Sequence, residues 1–402
     1  MTEELAALGE RLQREHGMLW LHRLKGDPYA ALLCDVDDDP APMRERIRAA
    51  GPLWRSGTGV WVTADPRTAA TLFAHPGIGH LTAPPEELLG PGEETVTPVR
   101  VEKGLGPLCA RLLDAAGPEF DLVTEVAEPL AAAALAEACA IPERERGRFA
   151  EALAACGVLQ DATVAPQRLA VTRRLRTGLD ALRSLLDGVP PGAPGPLALA
   201  VAARTGADLV ARAVLRARFP LSAREAGRAA EEALRAEPPG RIAPLVARTE
   251  TEVAGARIAG GDRLAVLLGG GAAEATAPAH RTLAPFHRAL AETALTALAD
   301  RRARVRPTAP VVRRARAPLT RGPARAPVVV TSVTATGPRG SGSTTTTTAG
   351  RRTDATTSPT VPPEAPSGRE EEKRDEGSVH LAGGQPLPAA RPSGMGAAHR
   401  RP

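Results

Sequence analysis

The sequence predicts a mainly α-helical protein with small β-sheets towards both ends. Three observations lead there. Long stretches rich in Ala, Leu and Arg repeat their apolar residues at helical spacing. Gly and Pro separate these stretches, at Gly117-Pro118, at Pro142 and in the VPPGAPGP run that starts at Val189. Hydrophobic residues make up 43% of the 402 residues and aromatics only 2%, so the core must be built from Ala, Leu and Val.

Residues 1–25 form the first expected helix, with Leu5, Leu8, Leu12, Met18, Leu19 and Leu21 at helical spacing. Asp27-Pro28 breaks it. An acidic loop, Asp35 to Asp39, and a helix from Pro42 to Ala50 follow. RSGTGVWVTADP reads as a strand pair turning at Gly57–Gly59. Asp65 is a natural N-cap for a short helix from Pro66 to Phe73, and the Gly/Pro-rich stretch from Pro84 to Pro98 reads as loop. Helices are expected at 105–116, 121–140, 143–160, 166–187, 196–218 and 222–236. PLVARTETEV and ARIAGGDRLAVLL are strand-like, a helix is expected over about 284–303, and 311–332 reads as two strands around a turn. Residues 1–333 are expected to form one domain. From Thr334 the chain turns Ser/Thr/Pro/Gly-rich and then heavily charged, a composition that cannot bury a core, so 334–402 is expected to be a disordered tail.

Composition excludes several classes of function. The net charge of +5 comes from residues 301–325, which hold nine Arg and no acid; the rest of the chain is net negative. That stretch is broken by Pro307, Pro310, Pro318 and Pro323 and has no aromatic for base stacking, so it reads as a solvated Arg-rich hairpin, not a nucleic-acid surface. No run of 18 apolar residues is present, and the acidic, amphipathic start does not resemble a signal peptide; a cytoplasmic location is expected. Cys34, Cys109, Cys139 and Cys156 form no C-x-x-C pair, so neither a disulfide framework nor a Cys-based zinc site is expected. P-loop, G-x-S-x-G, H-E-x-x-H and dinucleotide-binding fingerprints are missing.

The sharpest local motif is EEALRAEPPG, residues 231–240. Glu232 and Arg235 stand three apart on a helix and can form a charge-assisted pair. Alone, such a pair is an ordinary surface ion pair. Its surroundings add meaning: Pro-Pro, a strand with Arg248, and a Gly-x-x-Ile-x-x-Gly-Asp hairpin follow in order. This order resembles the cytochrome P-450 fold. GDPYAALLC, RAAGPLWRSGTGVWVTADP and FDLVTEVAEPLAAAALAEACAIP resemble that family's early helices, first sheet and central helices, so the likeness runs from about residue 26 to 332.

The departures bear on function. The resemblance implies a haem held by a Cys thiolate downstream of the E-x-x-R helix, yet every Cys here lies upstream of Glu232. LAPFHRALAETAL resembles the helix that follows the ligand, which puts the ligand position near Arg281. The family's central helix carries an acid before a Thr to deliver protons to bound oxygen; the matching helix here has Arg204 before Thr205. His280 or His287 could in principle bind iron, but would not supply the thiolate's electron push.

The N-terminus carries a more specific likeness. Leu8, Gly9, Leu12, Gln13, Gly17, Trp20, Gly26, Asp27, Pro28, Tyr29 and Cys34 form a pattern similar to that of the haem-less, P450-like auxiliary proteins of antibiotic deoxysugar glycosyltransferases. That resemblance implies a non-enzymatic partner of a glycosyltransferase in macrolide or anthracycline biosynthesis, with no catalytic residue, cofactor or metal of its own. Glu232, Arg235 and Arg248 would then maintain the fold. Met18, Trp20 and Leu21, an apolar cluster on the terminal helix, are the candidate partner contacts. The alternatives are a monooxygenase with an unusual iron ligand and a protein that binds a hydrophobic small molecule.

Overall fold

A computed structural model describes residues 2–36, 39–80, 96–100, 104–189, 193–236, 240–268 and 278–332. The chain divides into one compact unit, Met1–Gly337, and a second, Pro338–Pro402; the expected tail lies outside the described residues.

The chain opens with α1 (Thr2–Leu24), α2 (Pro28–Cys34) and α3 (Ala41–Ala49), then β1 (Trp54–Arg55), β2 (Trp61–Thr63), α4 (Pro66–Ala74) and β3 (Ile78–His80). The cap expected at Asp65 is present, and Asp27, expected as a helix break, caps α2 as well. Asp27 accepts from the Tyr29 and Ala30 amides at 2.9 Å, and Asp65 accepts from the Thr68 amide at 2.7 Å. The other Asp27 oxygen accepts from Ser56 Oγ and the Gly57 amide, each at 2.7 Å, and so ties α2 to the β1–β2 turn.

A helical block follows: α5 (Leu105–Ala116), strand β4 (Glu119–Asp121), a π-helical turn (Leu122–Ala127), α6 (Glu128–Ala138), α7 (Arg146–Cys156), α8 (Leu159–Val164), α9 (Leu169–Leu186), α10 (Pro196–Arg216) and α11 (Ala223–Ala236). The continuous helices expected over 121–140 and 143–160 are each divided. Asp121 caps the π-helical turn and ends a strand, while Gly157 separates α7 from α8. Almost every residue of α10 is buried, the polar Thr205, Asp208 and Arg212 among them. It runs through the main apolar cluster, which holds Leu199, Val210, Phe286 and Leu290.

The C-terminal part carries β5 (Ile242–Ala247), β6 (Thr251–Val253), β7 (Ala256–Ile258), β8 (Arg263–Leu267), α12 (Pro278–Asp300), β9 (Ala303–Pro307), β10 (Val312–Arg313), β11 (Pro323–Arg325) and β12 (Pro327–Ser332). The strand-like PLVARTETEV holds the end of β5 and the whole of β6. Strands β1, β2, β8, β5 and β3 form one sheet in that order, with β2 and β8 parallel and the other pairs antiparallel. A second sheet has the order β4-β12-β9, and β10–β11 and β6–β7 are separate hairpins. The short strands β3, β4 and β9 have no local sequence signal; each is completed by a partner far away in the chain.

Candidate functional site

The E-x-x-R pair takes a different form from the expected one. Arg235 lies 3.9 Å from Glu231 and is largely exposed. Glu231 also reaches Arg288 of α12 at 3.3 Å. Glu232, one residue on, faces about 100° away and is exposed. The tertiary partner on α12 therefore selects Glu231 over Glu232. Arg248 is exposed just beyond β5, and its amide donates to the Gly77 carbonyl at 2.7 Å. The structure does not join Glu232, Arg235 and Arg248 into one cluster.

Helices α10 and α12 meet directly instead. Thr205 and His287 are both buried, with Thr205 Oγ1 and His287 Nε2 2.7 Å apart. The Thr205 hydroxyl donates to the Val201 carbonyl at 2.6 Å, so it accepts from the His287 N–H. One residue on, Gly206 lets the helices touch. A Cβ there would stand 2.8 Å from Leu290 Cδ1 and 3.2 Å from Phe286.

Around this contact lies a buried polar network with no signal in local sequence. Arg204, the residue in place of the family's acid, donates to Glu128 at 3.0 Å and to the Gly157 carbonyl at 2.9 Å. Arg314 bridges Glu128 at 2.8 Å and the fully buried Asp208 at 2.6 Å. The other Asp208 oxygen lies against Gly322, where a Cβ would have no room. Arg212 donates to the Thr320 carbonyl at 2.6 Å. Asp161 accepts from the Leu319 and Thr320 amides at 2.9 and 3.0 Å and from the Thr320 hydroxyl at 2.8 Å. Burial pushes the Asp161 carboxyl up to about 6, against these hydrogen bonds.

This corrects the reading of 301–325 as a solvated hairpin. Its segment 314–322 is drawn into the core by acids on other elements. Arg321 pairs with Asp35 at 3.3 Å, and both side chains are buried. Asp35, expected in an acidic loop, is an internal ion-pair partner; burial raises its carboxyl pKa and Arg321 opposes that rise. Arg316 and Arg321 both take positive φ (55° and 44°), a backbone conformation held here by their contacts.

The P-450 resemblance implies a haem between the central helix and the helix that follows the Cys ligand, here α10 and α12. The residues present do not fit one. The Thr205–His287 hydrogen bond and the Gly206–Leu290 contact close the space a flat porphyrin would need. Arg281, nearest the expected ligand position, already lies inside α12. Cys109, Cys139 and Cys156 are buried, and burial pushes their thiols up to about 11, 11 and 12, away from the thiolate that iron requires. Among the described residues no group of three or more His, Cys, Asp or Glu is placed to hold a metal ion. No helix among them is long and apolar enough to cross a membrane.

The terminal helix places its candidate contacts unequally. Met18 and Leu21 are 47% and 41% exposed, while Trp20 is half-buried. The Trp20 indole donates to His16 Nε2 at 3.1 Å, and the Arg23 guanidinium lies 4.9 Å from its ring centre. Arg316 reaches the same His16 nitrogen at 3.1 Å; burial and this guanidinium lower the His16 pKa. Other parts of the N-terminal motif are structural. Leu8 and Tyr29 are buried, and Gly9 allows α1 to approach Leu169 of α9.

No protein-family model matches the chain. Protein DesVIII of Streptomyces venezuelae is 32% identical over 375 residues, covering 80% of this chain and 93% of that protein. Protein TylM3 of Streptomyces fradiae is 30% identical, covering 81% of this chain and 94% of that protein. The cytochrome P450 family protein EryCII of Saccharopolyspora erythraea is 30% identical over 81% of this chain and 99% of its own length. Among solved structures, the open form of cytochrome P450 EryK from S. erythraea shares the fold, with a TM-score of 0.56 at 18% identity over 77% of this chain and 98% of that one. CYP164A2 of Mycobacterium smegmatis does so with a TM-score of 0.57 at 22% identity over 74% of this chain and 98% of that one. With relatives at this identity over four fifths of its length, the chain belongs to the family of P450-like auxiliary proteins of antibiotic deoxysugar glycosyltransferases.

Proposed function

We propose that this chain is a non-catalytic auxiliary protein that binds and stabilises a TDP-deoxysugar glycosyltransferase in the biosynthesis of a macrolide- or anthracycline-type antibiotic. The observation that carries this reading is the sequence match to DesVIII and TylM3 over four fifths of the chain. The core supports it: α10 and α12 are joined by Thr205 and His287 where an oxygenase would hold iron. The lack of an acid before Thr205, with Arg204 instead bound to Glu128, supports the same reading.

An auxiliary protein can act by mass action alone. If it binds only the folded, competent form of its partner, it shifts the partner's equilibrium towards that form. At a free concentration a thousand times Kd the stabilisation is about 4 kcal/mol.

The test is reconstitution. The deoxysugar glycosyltransferase of the same strain is produced with and without this chain, and transfer from the TDP-sugar to the aglycone is timed. The expected result is transfer that depends on the chain, together with a stable complex of the two proteins. A transferase equally active and equally stable alone would overturn the proposal.

A further inference from the structure

We propose that Arg168, just ahead of α9, and Arg316, in the segment after β10, form a binding site for a phosphate group beside His16 of α1. The site stands independently of the function proposed above.

Named contacts bring these residues together. The Arg316 guanidinium lies 3.1 Å from His16 Nε2, and the Trp20 indole meets the same nitrogen at 3.1 Å. The Gln167 side chain donates to the Arg316 carbonyl at 3.0 Å, which brings Arg168, the next residue, to the same place. On the other side of Arg316, the Ala317 amide donates to Asp35 at 3.3 Å. The positive φ of Arg316, 55°, is therefore held by bonds on both sides. A side chain fixed in this way loses little freedom when it binds.

The charge at this meeting point has one sign. Arg316 and Trp20 can only donate, so His16 Nε2 accepts and the ring is neutral, with its proton on Nδ1. A neutral ring shares a hydrogen bond with Arg316 and leaves its charge uncancelled. The two arginines also act on each other: burial and then the Arg168 charge lower the Arg316 pKa. The contrast within segment 314–322 is sharp. Arg314 meets Asp208 and Glu128, and Arg321 meets Asp35. Arg316, the third arginine of that segment, meets a neutral imidazole and a second arginine. Among the described residues neither Arg168 nor Arg316 makes an ion pair with a carboxylate. Asp35, which binds the neighbouring Ala317 amide, is taken by Arg321.

This arrangement specifies its ligand. Two guanidinium groups offer two positive charges and two planar forks of N–H donors. A phosphate dianion supplies two negative charges and enough acceptor oxygens for both forks, whereas one carboxylate would satisfy one. Arg316 and His16 are half-buried, so the attraction is stronger than between groups in open water. Free phosphate and the terminal phosphate of a nucleoside diphosphate share this chemistry.

The experiment titrates inorganic phosphate, and separately thymidine diphosphate, into the full chain at constant ionic strength, and follows heat and melting temperature. Arg168→Gln removes one charge at an exposed position, and Arg316→Lys keeps the charge but removes the fork. Arg174→Gln, exposed further along α9, is the control. Expected is saturable binding of one phosphate per chain with a rise in melting temperature. Affinity should fall roughly tenfold or more in Arg168→Gln, fall also in Arg316→Lys, and stay unchanged in the control. Without phosphate, Arg168→Gln should melt no lower than the unaltered chain, because it removes a repulsion. Thymidine diphosphate binding more tightly than phosphate would identify a nucleotide as the source, and equal affinity the free ion; either supports the site. No saturable binding of either ligand, or binding that Arg168→Gln and Arg174→Gln alter equally, would overturn the proposal. An Arg168→Gln chain that melts lower and binds phosphate as before would also overturn it, since Arg168 would then be a structural residue.

Discussion

Two regions of the molecule have opposite characters. In the interior, buried polar and charged groups pair across elements: Thr205 of α10 with His287 of α12, Asp208 of α10 with Arg314, and Asp161 of α8 with Thr320. Around α1 and β10, apolar groups are exposed: Met18, Leu21, Leu24, Val311 and Val312. The first region is where the P-450 fold performs chemistry, and here it is closed. The second lies at the periphery and is open. The contrast teaches that this chain keeps the P-450 architecture with a closed interior, and that its exposed large apolar groups lie at the periphery.

The sharpest way to break this contrast is to open the core. Asp208→Ala leaves Arg314 deprived of its most buried partner. Breaking a buried ion pair from one side costs roughly 3–5 kcal/mol, so a large drop in unfolding free energy is expected in denaturant titration. A core that tolerated this change would not depend on the network.

The next largest effect is on pH dependence. Asp161 has a folded pKa of about 6 against the ordinary 3.8. Between those values the folded chain keeps a proton that the unfolded chain has lost. Stability contributed by this group therefore falls as the pH rises from about 4 to 6, and the penalty is complete above that window. Its upper bound is about 3 kcal/mol, from the two-unit displacement. Asp161→Asn keeps the shape without the charge. The stability difference between the variant and the unaltered chain should grow in the variant's favour across that window in paired melts at pH 4 and pH 7.

A smaller effect is expected at the helix contact. Gly206→Val places methyl groups against Leu290 and Phe286, and overpacking of this kind costs about 1–3 kcal/mol. Smallest of all is the change at the E-x-x-R motif. Glu232 is exposed, so Glu232→Ala should stay within about 0.5 kcal/mol of the unaltered chain in the same titration. A loss of several kcal/mol there would restore the structural role suggested by the sequence.

The two regions were also unequally legible in the sequence. Helix ends marked by Asp27-Pro28, Asp65-Pro66 and Gly117-Pro118 could be read directly, because caps and breakers act within a few residues. The terminal helix and its apolar cluster were legible from spacing, although spacing could not separate half-buried Trp20 from exposed Leu21. The network in the core was not legible. Asp208 and Arg314 are 106 residues apart, and Asp161 and Thr320 are 159 apart, so only the fold brings them together. An acid and two arginines, Asp208, Arg204 and Arg212, inside a largely apolar α10 were the available hint, since a buried charge needs a partner. The E-x-x-R motif shows the converse. Two correctly spaced residues were read as a pair, but Arg288 on α12 favours Glu231 instead.

The most direct test of the central contrast joins both regions in one assay. The chain is prepared without haem and again after incubation with excess haemin, its absorption spectrum is recorded, and each preparation is added to the co-produced transferase. Equal stimulation of sugar transfer by both preparations, with no Soret band from either after removal of free haemin, is the expected result. A bound haem with a Soret band, on which the stimulation depended, would contradict a core closed by Thr205 and His287.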